Sequence, residues 1–257
     1  MTAPILVEYD HSVLRITFNR PECLNALTTG MLALAAEAVE AAGKDTGVRV
    51  VVLGGAGRAF SAGADLAGGE ACALPGTDTI DAANRLVLAL RQIPQPVLAA
   101  VGGPAVGVGC SLALAADVTV ARESAYFLLA FAQVGLMPDG GATALVPAAA
   151  GRARATRMAM LAERVSAPRA VEWGLITHSV PDDTFDDEVE RLTRQLAQGP
   201  TEAFARTKAA LNASTLAQLR GALTVEHEGQ SQLFATADFA EGVAAFREKR
   251  RPEFSGK

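Results

Sequence analysis

The chain has 257 residues, half of them apolar and only 5% aromatic, enough for one large domain whose core is built from aliphatic and small side chains. Its 23 basic and 28 acidic residues leave a net charge of −5, which excludes general nucleic-acid affinity and obliges any polyanionic ligand to find a local basic patch. Three cysteines, Cys23, Cys72 and Cys110, have neither the even number of a disulfide framework nor metal-ligand spacing, so a reducing, cytoplasmic setting is expected.

No leader-like stretch opens the chain and nowhere do about 18 apolar residues run together, so membrane insertion is not expected. Leu14, Ile16 and Phe18 alternate with Arg15 and Thr17 after the turn Asp10-His11-Ser12. This predicts the second strand of a hairpin begun near Ile5 and ended by Asn19-Arg20-Pro21. From Thr28, a good N-cap, Met31, Leu34, Ala35, Ala38 and Ala42 share one helical face as far as Gly43. Residues 48–53 form a continuous apolar, β-branched run, as expected of a strand covered on both faces. A glycine-bearing turn over 54–66 follows, extended by a poorly patterned loop over 68–79.

A helix with Leu86, Leu90 and Ile93 inward stops before Pro94. The apolar run 97–101, between Pro96 and Gly102, reads as a buried strand feeding the glycine turn 102–109 and then a small-residue helix. That turn either cradles an anion or oxyanion with free N–H groups or simply lets helix pack on strand. Runs 118–121 and 126–129 predict two more strands. Gly135-Leu136-Met137-Pro138-Asp139-Gly140-Gly141 is another turn, with Asp139 the predicted N-cap of the helix after it. Ser166-Ala167-Pro168 opens a helix that Gly174 closes, and 176–180 is the last strand. Beyond Phe185 strand signals vanish, and helical patterns occupy 186–198, 201–213, 216–234 and 238–249. An α/β body over 1–198 and a helical C-terminal region over 199–257 are therefore predicted.

Two glycine turns, 62–65 and 107–109, each follow a buried strand and precede helical residues. Together with Asn19-Arg20-Pro21, Asn25-Ala26-Leu27, Phe60-Ser61-Ala62-Gly63-Ala64-Asp65-Leu66, the stretch from Pro104 to Asp117, the turn 135–141, Glu172-Trp173-Gly174-Leu175 and Glu241-Gly242-Val243-Ala244-Ala245-Phe246 with Lys249-Arg250, they make the chain resemble the crotonase superfamily, the enoyl-CoA hydratase and isomerase family. The resemblance runs in order along nearly the whole chain.

It implies an α/β fold, a crotonase-like ββα spiral whose C-terminal helices assemble trimers or hexamers, acting on acyl-CoA thioesters with no permanently bound cofactor and with coenzyme A as part of the substrate. By position it puts the two thioester-oxygen donors on the backbone N–H groups of Ala62 and Val108, and substrate or CoA contacts on Ala26, Ala64, Asp65, Leu66, Phe131 and Lys249. Such donors stabilise an enolate oxygen where its charge develops and need no particular side chain. The lysine is expected in the adenosine-phosphate region, often from a neighbouring subunit.

Hydratases of the family carry two glutamates, at the positions held here by Ser111 and Phe131. Neither can serve as a carboxylate base, which leaves Asp139, aligned with an acid that isomerases of the family use to shuttle a proton. The favoured expectation is a double-bond isomerase. The alternatives are a hydratase or lyase with an atypical water site and a non-catalytic acyl-CoA-binding protein. Phe131 is expected to look into the acyl pocket and to dry it, raising the Asp139 pKa. Asp65 is expected to shape its turn. Ser111, without a base among His11, His178 and His227, reads as a small helix residue, and Cys110 as a buried, unreactive thiol.

Overall fold

A computed structural model describes residues 3–67 and 74–257. Cys72 and the 68–73 part of the expected loop lie outside the described residues. The N-terminal hairpin is as predicted: β1 (Ile5–Asp10) pairs antiparallel with β2 (Val13–Phe18), with Ile5 opposite Phe18. Thr28 accepts the Met31 N–H through its side chain at 3.3 Å and so starts α1 (Thr29–Ala42). β3 (Val50–Gly55) follows, then α2 (Thr77–Gln92), whose first turn takes in the end of the stretch predicted as loop.

From β4 (Val97–Val101) the chain leaves the main sheet at Gly102 and enters the two-residue strand β5 (Ala105–Val106) before α3 (Val108–Leu114). It returns in β6 (Val118–Arg122) and leaves again in β7 (Tyr126–Leu128), which is followed by a 3-10 turn, Ala130–Val134. The single helix expected after Asp139 is two, α4 (Ala142–Ala150) and α5 (Arg152–Leu161), separated by Gly151 at φ 81. A short strand, β8 (Val165–Ser166), had no sequence signal. α6 (Ala167–Glu172) and β9 (His178–Val180) complete the body. The C-terminal helices are α7 (Phe185–Gln198), α8 (Thr201–Thr215), α9 (Leu219–Leu233) and α10 (Ala237–Glu248).

The six-stranded sheet has the order β1-β2-β3-β4-β6-β9, parallel from β2 onward, and the smaller one the order β5-β7-β8. Successive strands thus step between two sheets, which gives the fold its spiral course. Residues alternate in direction along the central strands. Val51, Leu53, Val97 and Ala99 join the main core with Leu32, Ala35, Leu86 and Leu90, whereas Val52, Leu98 and Val120 pack with Phe185, Val189 and Leu192 of α7. Helices on both faces account for the unbroken apolar strands. Leu219 and Leu223 of α9 also enter the main core. Among the described residues no helix is long and apolar enough to cross a membrane.

Candidate active site

The site is built outward from Asn25, which is fully buried at φ 57. Its Oδ1 accepts the Arg20 N–H at 2.9 Å, and its Nδ2 donates to the carbonyls of Ala56 at 2.9 Å and Ala59 at 2.8 Å. Its own carbonyl accepts the Ser61 hydroxyl at 2.9 Å, and Ser61 Oγ in turn accepts the Gly63 N–H at 3.1 Å. Buried amides and hydroxyls are costly unless satisfied, so this network clamps residues 19–27 onto the first glycine turn. The second turn is stitched to the first by an isolated parallel bridge between Ser61 and Ala105, with the Val106 N–H donating to the Ser61 carbonyl at 2.9 Å. A Cβ on Gly63, at φ 91, would lie 2.9 Å from the Val106 carbonyl oxygen and 3.5 Å from Gly107 Cα. Only glycine lets the two backbones approach so closely.

This geometry redistributes the backbone donors. The Ala62 N–H is already donated to the Leu24 carbonyl at 2.8 Å, so the donor expected there is engaged within the fold. Two residues on, Ala64 bridges Leu27 in parallel: the Leu27 N–H bonds Gly63 O at 2.8 Å and the Asp65 N–H bonds Leu27 O at 3.0 Å. In such a bridge the central residue turns its own N–H to the opposite side. The Ala64 N–H accordingly has no acceptor among the described residues. The same is true of the Val108 N–H, the first of α3, where a helix leaves its leading donors unbonded. Gly107 before it, at φ 55 and ψ −131, adopts the backbone conformation that aims this end of the helix.

Asp139 is buried against the same helix. The Ser111 hydroxyl donates to the Asp139 carbonyl at 2.7 Å, and a Cβ on Gly140 would lie 3.0 Å from Ser111 Cβ and 3.4 Å from Val108 Cγ2. Ser111 is thereby tied to a backbone oxygen, not to a base. The Asp139 carboxyl accepts from Gln230 Nε2 at 2.9 Å through Oδ2, while Oδ1 is buried with no hydrogen-bond partner. Burial pushes its pKa up to about 7, the Gln230 hydrogen bond opposes the rise and the nearby Glu226 carboxylate adds to it.

The helix-cap role predicted for Asp139 falls elsewhere. The α4 N-cap is Gly141, and the helix end is capped from α9 by Glu226, which accepts the Gly141 N–H at 2.7 Å, the Thr143 N–H at 2.8 Å and the Thr143 hydroxyl at 2.6 Å. A carboxylate at a helix N-terminus is favoured there, and this one is fully engaged although burial raises its pKa.

Asp65 shapes its turn, as expected: Oδ2 accepts from Arg20 at 2.8 Å and Oδ1 from the Ala67 N–H at 3.1 Å. Arg20 also donates to the Ala26 carbonyl at 2.8 Å, so Ala26 and Asp65 meet at one guanidinium. The Leu66 carbonyl accepts from Arg247 Nε of the same chain at 3.2 Å, which brings the end of α10 beside the 64–66 segment. Lys249, the left-handed residue capping α10, is exposed and has no side-chain partner among the described residues. Phe131 is buried, and a Cβ on Gly107 would lie 3.9 Å from its ring. Cys110 is buried and its thiol pushed up to about 12 by desolvation. His11 pairs with Asp10 at 2.6 Å and His227 with Asp81 at 3.3 Å.

Gln230, Glu226 and the Ala64 N–H escaped sequence reasoning. The first two had a signal: Leu219, Leu223, Glu226 and Gln230 share one stripe of α9, so two polar residues stand on a face that is otherwise apolar. Ala64 had none, because the choice between neighbouring amides depends on which one the Leu24 carbonyl takes.

Comparison with known proteins places this geometry. The family model for enoyl-CoA hydratase/isomerase matches residues 8–257. The chain is 41% identical over 259 residues to the 1,2-epoxyphenylacetyl-CoA isomerase of Escherichia coli (strain K12), covering 98% of both chains. It is 42% identical over 255 residues to a protein of Rhodobacter capsulatus named "Probable enoyl-CoA hydratase", again covering 98% of both. A crystal structure of an enoyl-CoA hydratase from Mycobacterium avium subsp. paratuberculosis K-10 superposes with a TM-score of 0.93 at 47% identity, covering 99% of this chain and 100% of that one. The chain belongs to the enoyl-CoA hydratase/isomerase family and has the crotonase fold.

Proposed function

We propose that the chain is an enoyl-CoA double-bond isomerase. The observation that carries this reading is one buried carboxyl, Asp139, raised to about 7 and retaining an unbonded oxygen, while the buried carboxyls of Glu226 and Asp65 are engaged, in capping and with Arg20 respectively, and Ser111 and Phe131 hold the positions where a hydrating pair would stand. A base with a pKa near the working pH both accepts and returns a proton efficiently. The thioester oxygen would be held by the N–H groups of Ala64 and Val108, with Ala64 replacing the expected Ala62. Asp139 removes a proton from C2 of a 3-enoyl-CoA, the C–H electron pair moves into the dienolate, and the carboxyl, its proton exchanging with solvent, delivers a proton to C4 as the double bond settles at C2. One carboxyl suffices because nothing is added. A relative named 1,2-epoxyphenylacetyl-CoA isomerase supports isomerisation as the reaction type and adds a ring-epoxide thioester to the candidate substrates.

The coenzyme A moiety is assigned to the side formed by Ala26, Ala64, Asp65, Leu66 and Lys249, and the acyl chain to the Phe131 side. A homo-oligomer, trimer or hexamer, is part of the proposal, and light scattering tests it.

The deciding experiment incubates the protein with 3-enoyl-CoA, 2-enoyl-CoA and 1,2-epoxyphenylacetyl-CoA in deuterated water. Double-bond migration with label at C2 or C4 is expected. Asp139→Asn should abolish it, and Val108→Pro, which deletes one donor at a helix position that tolerates proline, should lower kcat by about 100-fold or more. A 3-hydroxyacyl product would replace the isomerase by a hydratase. Tight binding without turnover would leave an acyl-CoA-binding protein.

A further inference from the structure

Asp139 is gripped from a helix distant in sequence. Gln230 on α9 is buried, and both ends of its amide are engaged: Oε1 accepts the Met137 N–H at 3.2 Å and Nε2 donates to Asp139 Oδ2 at 2.9 Å. The Met137 contact fixes the amide's orientation, since a backbone N–H can only donate, and Nε2 is therefore the group that faces the carboxyl. A second contact supports the register. Gly229, the preceding residue, lies directly beneath Met137, and a Cβ there would collide with its sulfur. Residues 137–139 are thus held on α9 through a backbone bond, a packing contact and a carboxyl bond at once.

The consequence concerns which oxygen works. Nε2 has hydrogens to give and no lone pair to receive one, and a carboxyl's carbonyl oxygen accepts such a bond better than its hydroxyl oxygen does. The contact therefore favours neutral Asp139 with its proton on Oδ1, the oxygen with no hydrogen-bond partner among the described residues. We propose that Gln230 is a positioning residue that holds the Asp139 carboxyl by Oδ2 and thereby makes Oδ1 the oxygen that takes up and returns the proton. For its effect on turnover this rests on the isomerase reading; for its effect on the titration of Asp139 it does not.

Glu226, one turn earlier on α9, is the charged group acting on this carboxyl. From α3, Ser111 bonds the Asp139 backbone carbonyl and Ser111 and Val108 lie against the neighbouring Gly140, and neither titrates near neutrality. Removing the Gln230 donor leaves burial and Glu226 unopposed, so the titration must move up.

The test follows Asp139 by carboxyl carbon NMR, with Asp139→Asn identifying the resonance, beside the pH dependence of kcat and KM. In Gln230→Met the titration and the acid limb of the rate profile should both rise by about one pH unit, with kcat down at least tenfold and KM for the CoA ester within twofold. Gln230→Glu covers the case in which the methionine variant does not fold. It keeps an acceptor for Met137 and sets two carboxyls face to face, so the upper titration of the pair should rise further still. An unmoved titration in the folded variants overturns the inference. A shifted titration in a protein that isomerises none of the three thioesters upholds it and overturns the isomerase reading instead.

Discussion

At the residue scale, the chemistry gathers on one carboxyl whose neighbours could have made it a helix cap and did not. Two residues beyond it, Gly141 takes the cap position and Glu226 supplies the acceptor, so Asp139 is free of the local hydrogen bonds that would have lowered its pKa. Its rise from an ordinary 3.8 to about 7 has a stability cost that depends on pH. The folded protein binds this proton more tightly than the unfolded chain. The stabilising contribution is therefore complete below about pH 4 and lost as pH rises through about 7, a difference of about 4 kcal/mol at most. Asp139→Asn should accordingly melt higher than the parent at pH 8, with the gap closing by pH 4.5, in paired thermal scans. A gap independent of pH would show that the carboxyl titrates normally.

At the element scale, α9 decides more than its length and position suggest. It closes the main core through Leu219 and Leu223, caps α4 through Glu226 and holds Asp139 through Gln230. Its helical pattern was legible from the sequence, as were α1 with its Thr28 cap and the strand Val97–Val101. The C-terminal helices read from sequence as an oligomerisation region nevertheless supply side chains to the candidate site of their own chain. That was not legible because periodicity identifies a buried face without naming what it meets. Glu226→Ala would strand the Gly141 and Thr143 amides and the Thr143 hydroxyl. It should lower unfolding free energy by about 3 kcal/mol in urea titrations, with Glu226→Gln, which keeps an acceptor, losing less.

At the scale of the whole molecule, a chain of net charge −5 needs a local cation to receive a phosphorylated ligand. At the end of α10 Arg247 reaches the Leu66 carbonyl, and Lys249, two residues later and exposed, is the cation proposed for that role. Lys249→Ala should raise KM for acyl-CoA several-fold with kcat unchanged, and the difference should shrink at high salt, as an exposed charge contact is screened.

The sequence by itself determined the alternation of strands and helices and the two glycine turns, through apolar runs bounded by glycine and proline, and it determined the family through motifs standing in the right order along the chain. The spiral and the roles expected of Val108 and Asp139 came through that resemblance. Only the tertiary structure decided that Ala64 and not Ala62 keeps an unbonded N–H, that Asp139 is no cap, and that Gln230 grips it across 91 positions of chain. Whether a polar group is free depends on which partner reaches it first, and those partners, Leu24, Glu226 and Gln230, arrive through contacts between distant segments that no local spacing encodes.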